Sequence, residues 1–178
     1  MALNRILEAA QSGGFAKPSL YKVETGGENS NISVDQFLIK SASLPAATIG
    51  TIEVPYRGRK VRIPGSRTFE PWSITVTYAV RSDNDLRRNF QDWIDKIQSP
   101  LANDDDASAW GENWTISLLD PADNTKAIAG STFTLIGCYP SEIGTVSLDT
   151  ETTDTLAEFT ATIYYSYHTV DGVDSGLA

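Results

Sequence analysis

The chain is poor in the residues that hold small or metal-dependent folds together. One cysteine, Cys138, and one histidine, His168, occur among 178 residues. An intrachain disulfide framework and the Cys/His arrangements that bind zinc are therefore excluded. A chain of this length buries roughly 70% of the surface it exposes when unfolded, so packing alone can hold one domain spanning 1–178. No apolar run approaches the ~18 residues of a membrane span. No basic start leads into an apolar run and a small-residue cleavage site. The expectation is a protein with neither export signal nor membrane anchor. Phosphate cradles are missing as well, because neither Gly13-Gly14 nor Gly26-Gly27 opens a helix with the required spacing or lysine. The run Asp104-Asp105-Asp106 lacks the alternating ligands, following glycine and distal glutamate of a calcium loop. It reads as solvated surface, and no metal or cofactor is expected.

Positive charge is almost absent from the second half. Residues 1–96 hold 13 Lys/Arg against 10 Asp/Glu, whereas residues 97–178 hold Lys126 alone against 13 acids. The net charge of −9 disfavours tight, backbone-clamping binding of nucleic acid or anionic membrane. The asymmetry implies complementary surfaces between copies, and a contact joining unlike surfaces generates rings or filaments.

Threonine and serine are abundant, and the dominant periodicity is two. Trp72, Ile74, Val76, Tyr78 and Val80 alternate with Ser73, Thr75, Thr77 and Ala79, which predicts a strand with one apolar face. Phe159, Ala161, Ile163, Tyr165 and Tyr167 repeat the pattern against Glu158, Thr160, Thr162 and Ser166. Further strands are expected at Ser19–Thr25, Ile32–Lys40, Ile49–Tyr56, Arg59–Ile63, Asn113–Leu119, Ser131–Tyr139 and Ile143–Asp149, each bounded by turn residues. Leu86, Phe90, Trp93, Ile94 and Ile97 recur at helical spacing after the N-cap candidates Ser82 and Asp83, predicting a helix over about 83–97 that packs on the sheet. A short amphipathic turn with Leu3, Ile6, Leu7 and Ala10 on one side is expected to end at Ser12-Gly13-Gly14. Residues 98–112 read as an acidic surface loop and 169–178 as a flexible tail. The fold class is mainly β: an antiparallel sandwich or barrel with one packed helix.

Three chemistries are weighed against structural readings. His168 is the only possible base for a nucleophilic triad, and nothing local marks a partner. Cys138 lies in an apolar stretch and reads as a buried thiol. Trp72, Trp110, Trp114 and Tyr164–Tyr167 would supply a stacking platform in a monomeric β-type binding module, although alternation puts Trp72 in the core. The strongest charge feature is Tyr56-Arg57-Gly58-Arg59-Lys60-Val61-Arg62, a hairpin tip whose glycine can take positive φ. Either it touches an anion or its charges keep a strand edge soluble. Unpaired edges in such a sheet are most simply covered by a neighbouring copy.

Several blocks of sequence, in order, resemble the tail tube proteins of contractile-tailed bacteriophages. They are Ser12-Gly13-Gly14-Phe15-Ala16-Lys17-Pro18-Ser19-Leu20-Tyr21-Lys22-Val23-Glu24, Leu44-Pro45-Ala46 leading to Ile52-Glu53-Val54-Pro55, Gly58-Arg59-Lys60-Val61-Arg62-Ile63-Pro64-Gly65 and Arg67-Thr68-Phe69-Glu70-Pro71-Trp72. Asn84-Asp85-Leu86-Arg87-Arg88-Asn89-Phe90-Gln91-Asp92-Trp93 and Gly137-Cys138-Tyr139-Pro140-Ser141-Glu142-Ile143-Gly144 complete the match over about 12–167. The resemblance implies a non-enzymatic virion protein, assembled in the host cytoplasm, that forms stacked hexameric rings and a hollow conduit inside a contractile sheath for genome ejection. The implied partners are further copies of itself, the sheath, baseplate and tail-terminator proteins, with DNA only in transient non-specific passage. An acidic inner wall would repel that DNA. By the same analogy Arg57, Gly58, Arg59, Lys60 and Arg62 form a ring-to-ring contact, and the segment 1–15 through Phe15 forms another. A tube of a non-phage contractile injection system is the alternative within this class. The acidic loop and the tail match nothing in the family pattern.

Overall fold

The computed structural model describes residues 5, 15–26, 38–77, 86–98, 111–151 and 153–171. Nine strands and one helix occur among them, in the order β1 (Tyr21–Glu24), β2 (Ile39–Ala42), β3 (Ala47–Tyr56), β4 (Arg59–Phe69), β5 (Trp72–Thr77), α1 (Leu86–Ile97), β6 (Glu112–Leu119), β7 (Ala127–Ile143), β8 (Glu158–Tyr164) and β9 (Tyr167–Val170). All pairings are antiparallel. The main sheet runs β1-β6-β7-β8-β5-β2, with β9 also on β7, while β3 and β4 pair only with each other. The mainly β architecture with one helix follows the alternation read from the sequence.

The organising strand is β7, 17 residues long. Its first two thirds pair with β6, from Leu119↔Ala127 to Glu112↔Cys138. Along its other edge runs β9, opposite Phe133–Ile136, and then β8, opposite Tyr139–Ile143. The change of partner falls at Gly137, which has φ +72. A Cβ there would lie 2.7 Å from the Ser166 hydroxyl oxygen, so only glycine fits where β8 gives way to β9. The sheet curls until its outer strands meet, and the Tyr21 hydroxyl in β1 donates to the Ile39 carbonyl in β2 at 2.8 Å.

Alternation buries one row of each central strand. Trp72, Ile74 and Val76 of β5 and Phe159, Ala161 and Ile163 of β8 are all in the core. Helix α1 adds Leu86, Phe90 and Trp93, all buried, with Ile94 and Ile97 half-buried. Trp114 sits at the centre of the aromatic cluster, its ring 6.0 Å from Trp72, 6.3 Å from Phe90 and 6.2 Å from Trp93. Such ring pairs contribute about 0.5–1.5 kcal/mol each beyond area burial. On the outer side of α1, Arg88 pairs with Asp92 at 3.9 Å, and Lys96 lies in the last turn, where the helix dipole favours a cation.

Several boundaries differ from the sequence reading: the pattern read as one strand through Tyr167 breaks after Tyr164 into β8 and β9, Glu112, placed in the acidic loop, begins β6, and the strand expected to end at Lys40 runs to Ala42. The strand expected at Ile143–Asp149 is absent beyond Ile143, because Val146 and Leu148 fall out of phase with it and the Asp149 carboxylate accepts from the Glu151 backbone N–H at 2.9 Å, closing a turn. The strand expected to end at Ile63 continues to Phe69, since Pro64 stays in register opposite Thr51 and a bulge opposite Gly50 absorbs Gly65 and Ser66. Ser131–Tyr139 is the middle of β7. Residues 169 and 170, assigned to a tail, belong to β9, where the Asp171 carboxylate accepts from the Gly130 and Thr132 backbone N–H groups. The remaining tail (172–178), most of the acidic loop (99–110), the N-cap candidates, the N-terminal amphipathic turn and positions 32–37 lie outside the described residues.

Candidate assembly surface

The β3–β4 hairpin stands apart from the core. A two-residue turn closes it, with Arg57 at φ +47 and Gly58 at φ +77, the left-handed pair that matches the twist of flanking strands. Every residue of β3 is exposed. Pairing Ile52↔Ile63, Val54↔Val61 and Tyr56↔Arg59 puts the apolar residues on one face, and Thr51↔Pro64, Glu53↔Arg62 and Pro55↔Lys60 on the other. Ile52, Val54, Tyr56, Val61 and Ile63 are 42–60% exposed. Five large apolar side chains lining one side of a projecting hairpin form a contiguous patch, the signature of an interaction surface.

The opposite face is charged and internally paired. Glu53 receives the Lys60 ammonium at 2.8 Å and the Arg62 guanidinium at 3.3 Å. Arg57 lies over the Tyr56 ring, 5.4 Å from its centroid. Neither Arg57 nor Arg59 has a carboxylate partner among the described residues, so the tip itself is cationic. The structure thus brings Arg57, Gly58, Arg59, Lys60 and Arg62 onto one tip but divides their roles, with Lys60 and Arg62 bound to Glu53. The base of the hairpin is tied to the barrel. The Trp72 indole N–H donates to the Ser43 carbonyl at 2.5 Å, the Tyr165 hydroxyl donates to the Ala46 carbonyl at 3.2 Å, and Phe69 packs on Tyr165 with ring centroids 5.9 Å apart.

Phe15 is 60% exposed, away from the core; the rest of the segment 1–15, Arg5 apart, lies outside the described residues. Beyond Phe15, a groove of about 280 Å³ runs between β1 and β2, lined by Pro18, Tyr21, Ala42, Leu44 and Ile116 among others. Two exposed residues were not read as surface features, Leu148 at 87%, which lies inside the strand expected at Ile143–Asp149, and Leu156 at 74%, both on the β7–β8 connection.

Of the enzyme and sugar-binding candidates, His168, Cys138, Trp72, Trp114 and Tyr165 are buried, whereas Tyr164 is exposed and Tyr167 half-buried. His168 is buried, with Phe69 and Phe133 edge-on at 5.2 and 5.8 Å. Desolvation, reinforced by Arg67, holds its pKa below the ordinary value. Burial pushes the Cys138 thiol up to about 12, which leaves it without thiolate at physiological pH. Trp72 and Trp114 are buried and unavailable as a stacking platform, and Trp110 lies outside the described residues.

A curled antiparallel sheet whose projecting hairpin keeps an apolar face in water defines a subunit made for association. The phage tail tube protein family model matches residues 15–171. The tail tube protein gp19 of Enterobacteria phage T4 is 26% identical over 167 residues, covering 94% of this chain and 99% of that one. The sheath-tube complex of an extracellular contractile injection system contains a chain of similar fold, with a TM-score of 0.61, 20% identity and coverage of 89% and 93%. A chain in the 6-fold symmetrised baseplate of the anti-feeding prophage gives 0.61, 14% identity and coverage of 86% and 92%. The chain belongs to the phage tail tube protein family. It is a structural subunit of the virion tail.

Proposed function

We propose that the whole chain acts as one tail tube domain that assembles into stacked hexameric rings, the hollow conduit through which the genome leaves inside a contractile sheath. The observation that carries this reading is the β3–β4 hairpin, a long amphipathic arm with no partner for its apolar face within the described residues. Ring-to-ring contact falls to Arg57, Gly58, Arg59, Lys60 and Arg62 at its tip, and to Phe15 with the segment before it. Sixfold rings are supported by the symmetry of the baseplate that holds a chain of like fold. A sheath partner is supported by the sheath-tube complex that holds another, and baseplate and terminator proteins meet the tube ends. DNA passes without specific contact, in keeping with the −9 charge. The protein catalyses no reaction. The tube of a non-phage injection machine is the second reading, favoured by the fold shared with the sheath-tube complex. Negative-stain microscopy of the purified chain tests the proposal: hollow tubes or sixfold rings are expected, and a monomer at every concentration and salt would overturn it.

A further inference from the structure

The hairpin and the β7–β8 connection lie at opposite ends of the same ladder. Trp72, three residues beyond the end of β4, pairs with Ile163, whereas Thr77 pairs with Glu158, the residue that follows the connection. Five residue steps at ~3.3 Å separate them by about 17 Å. The hairpin therefore leaves one end of the barrel and the connection caps the other.

Their surfaces are opposite in charge and alike in apolar content. The tip carries Arg57 and Arg59; the connection carries exposed Glu151 and Asp154, with Asp149 holding its turn. Leu148 and Leu156 are the two most exposed large apolar residues described. Beside them a cleft of about 520 Å³ is lined by Thr145, Val146, Leu148, Ala157 and the Arg87 side chain of α1. From Gly50 to Tyr56 the hairpin extends roughly 20 Å at a strand's rise per residue, enough to cross such a cleft.

We propose that the β7–β8 connection is the seat for the β3–β4 hairpin of a second copy, whose Arg57 and Arg59 meet Glu151 and Asp154 while Ile52, Val54 and Tyr56 cover Leu148 and Leu156. Unlike ends that fit each other make a heterologous contact, which repeats along one direction and does not close into a two-fold dimer. This inference rests on the tube reading and adds where the hairpin lands.

Charge exchange tests it. Arg57→Glu with Arg59→Glu, and separately Glu151→Arg with Asp154→Arg, should each raise the concentration needed for assembly by roughly 100-fold, since like charges facing across an interface are strongly unfavourable. The chain carrying all four changes should assemble again near the wild-type concentration, read by sedimentation and microscopy. Leu148→Ser with Leu156→Ser, at exposed positions that leave the core untouched, should weaken assembly without changing circular dichroism, and supplies the test where a charge variant misfolds. If the hairpin reversal blocks assembly while the connection variants assemble normally, the seat is elsewhere and the tube reading survives. If the wild-type chain itself never assembles, the tube reading fails and this proposal with it. Failure of the fourfold exchange to restore assembly, with the fold intact, also overturns the pairing.

Discussion

Replacing Ile52, Val54, Val61 and Ile63 together by threonine keeps the β-branched side chains, the hairpin register and the turn, and removes the apolar face. Burying such a side chain completely is worth about 1.5–3 kcal/mol. These four are 42–51% exposed in the isolated subunit, so a neighbour has roughly half of each left to cover, about 1 kcal/mol per residue. The set amounts to roughly 4 kcal/mol per hairpin, or on the order of a thousandfold in affinity. The subunit's own melting temperature should hardly move, because none of the four belongs to the buried core. Sedimentation velocity over a concentration series, with melts by circular dichroism, gives both quantities. A variant that assembles at the wild-type concentration would show that this face stays wet in the tube, and would refute the burial argument.

Three further outcomes follow from the barrel. Gly137→Ala places a Cβ at φ +72 and 2.7 Å from the Ser166 hydroxyl oxygen, and should cost on the order of 1–3 kcal/mol, seen as a lower urea midpoint; an unchanged midpoint would mean that the kink is not confined. Cys138, buried with its thiol at about 12, should resist maleimide at pH 8 in the native subunit and react once urea unfolds it; fast native labelling would contradict the packing. The folded chain holds His168 below its ordinary value of 6.5, so the unfolded chain takes up the proton first. Stability from this group is therefore complete above that value and declines as pH falls below it. His168→Phe, joining the aromatic side chains already around it, should flatten the pH dependence of subunit stability across that window, and an undiminished slope would assign the effect to carboxylates.

The fold was legible where burial enforces a strict period. Trp72, Ile74 and Val76, like Phe159, Ala161 and Ile163, alternate in the sequence because they alternate between core and surface, and Leu86, Phe90 and Trp93 turn inward at helical spacing. Boundaries were lost where a local device overrode the pattern. Pro64 and Gly65 read as a stop, yet Pro64 pairs with Thr51 and Gly65 joins Ser66 in a bulge. Pro140 reads as a break and lies inside β7, where it pairs with Ile163. The hairpin tip was found by its charges, yet its apolar face, which follows from Ile52, Val54 and Tyr56 at period two, passed unnoticed beside the arginines. Leu148 and Leu156 carry no periodic signal, and only the three-dimensional structure shows that water surrounds both.

One covalent thread, β7, runs through both halves of the barrel, holding β6 on one flank and β9 then β8 on the other. Neither half can peel away while the other persists, so heat or denaturant should dismantle the subunit in a single step. For a subunit of a tail tube, this is resilience without a crosslink: a brick that either stays whole or fails outright, with no softened state in between.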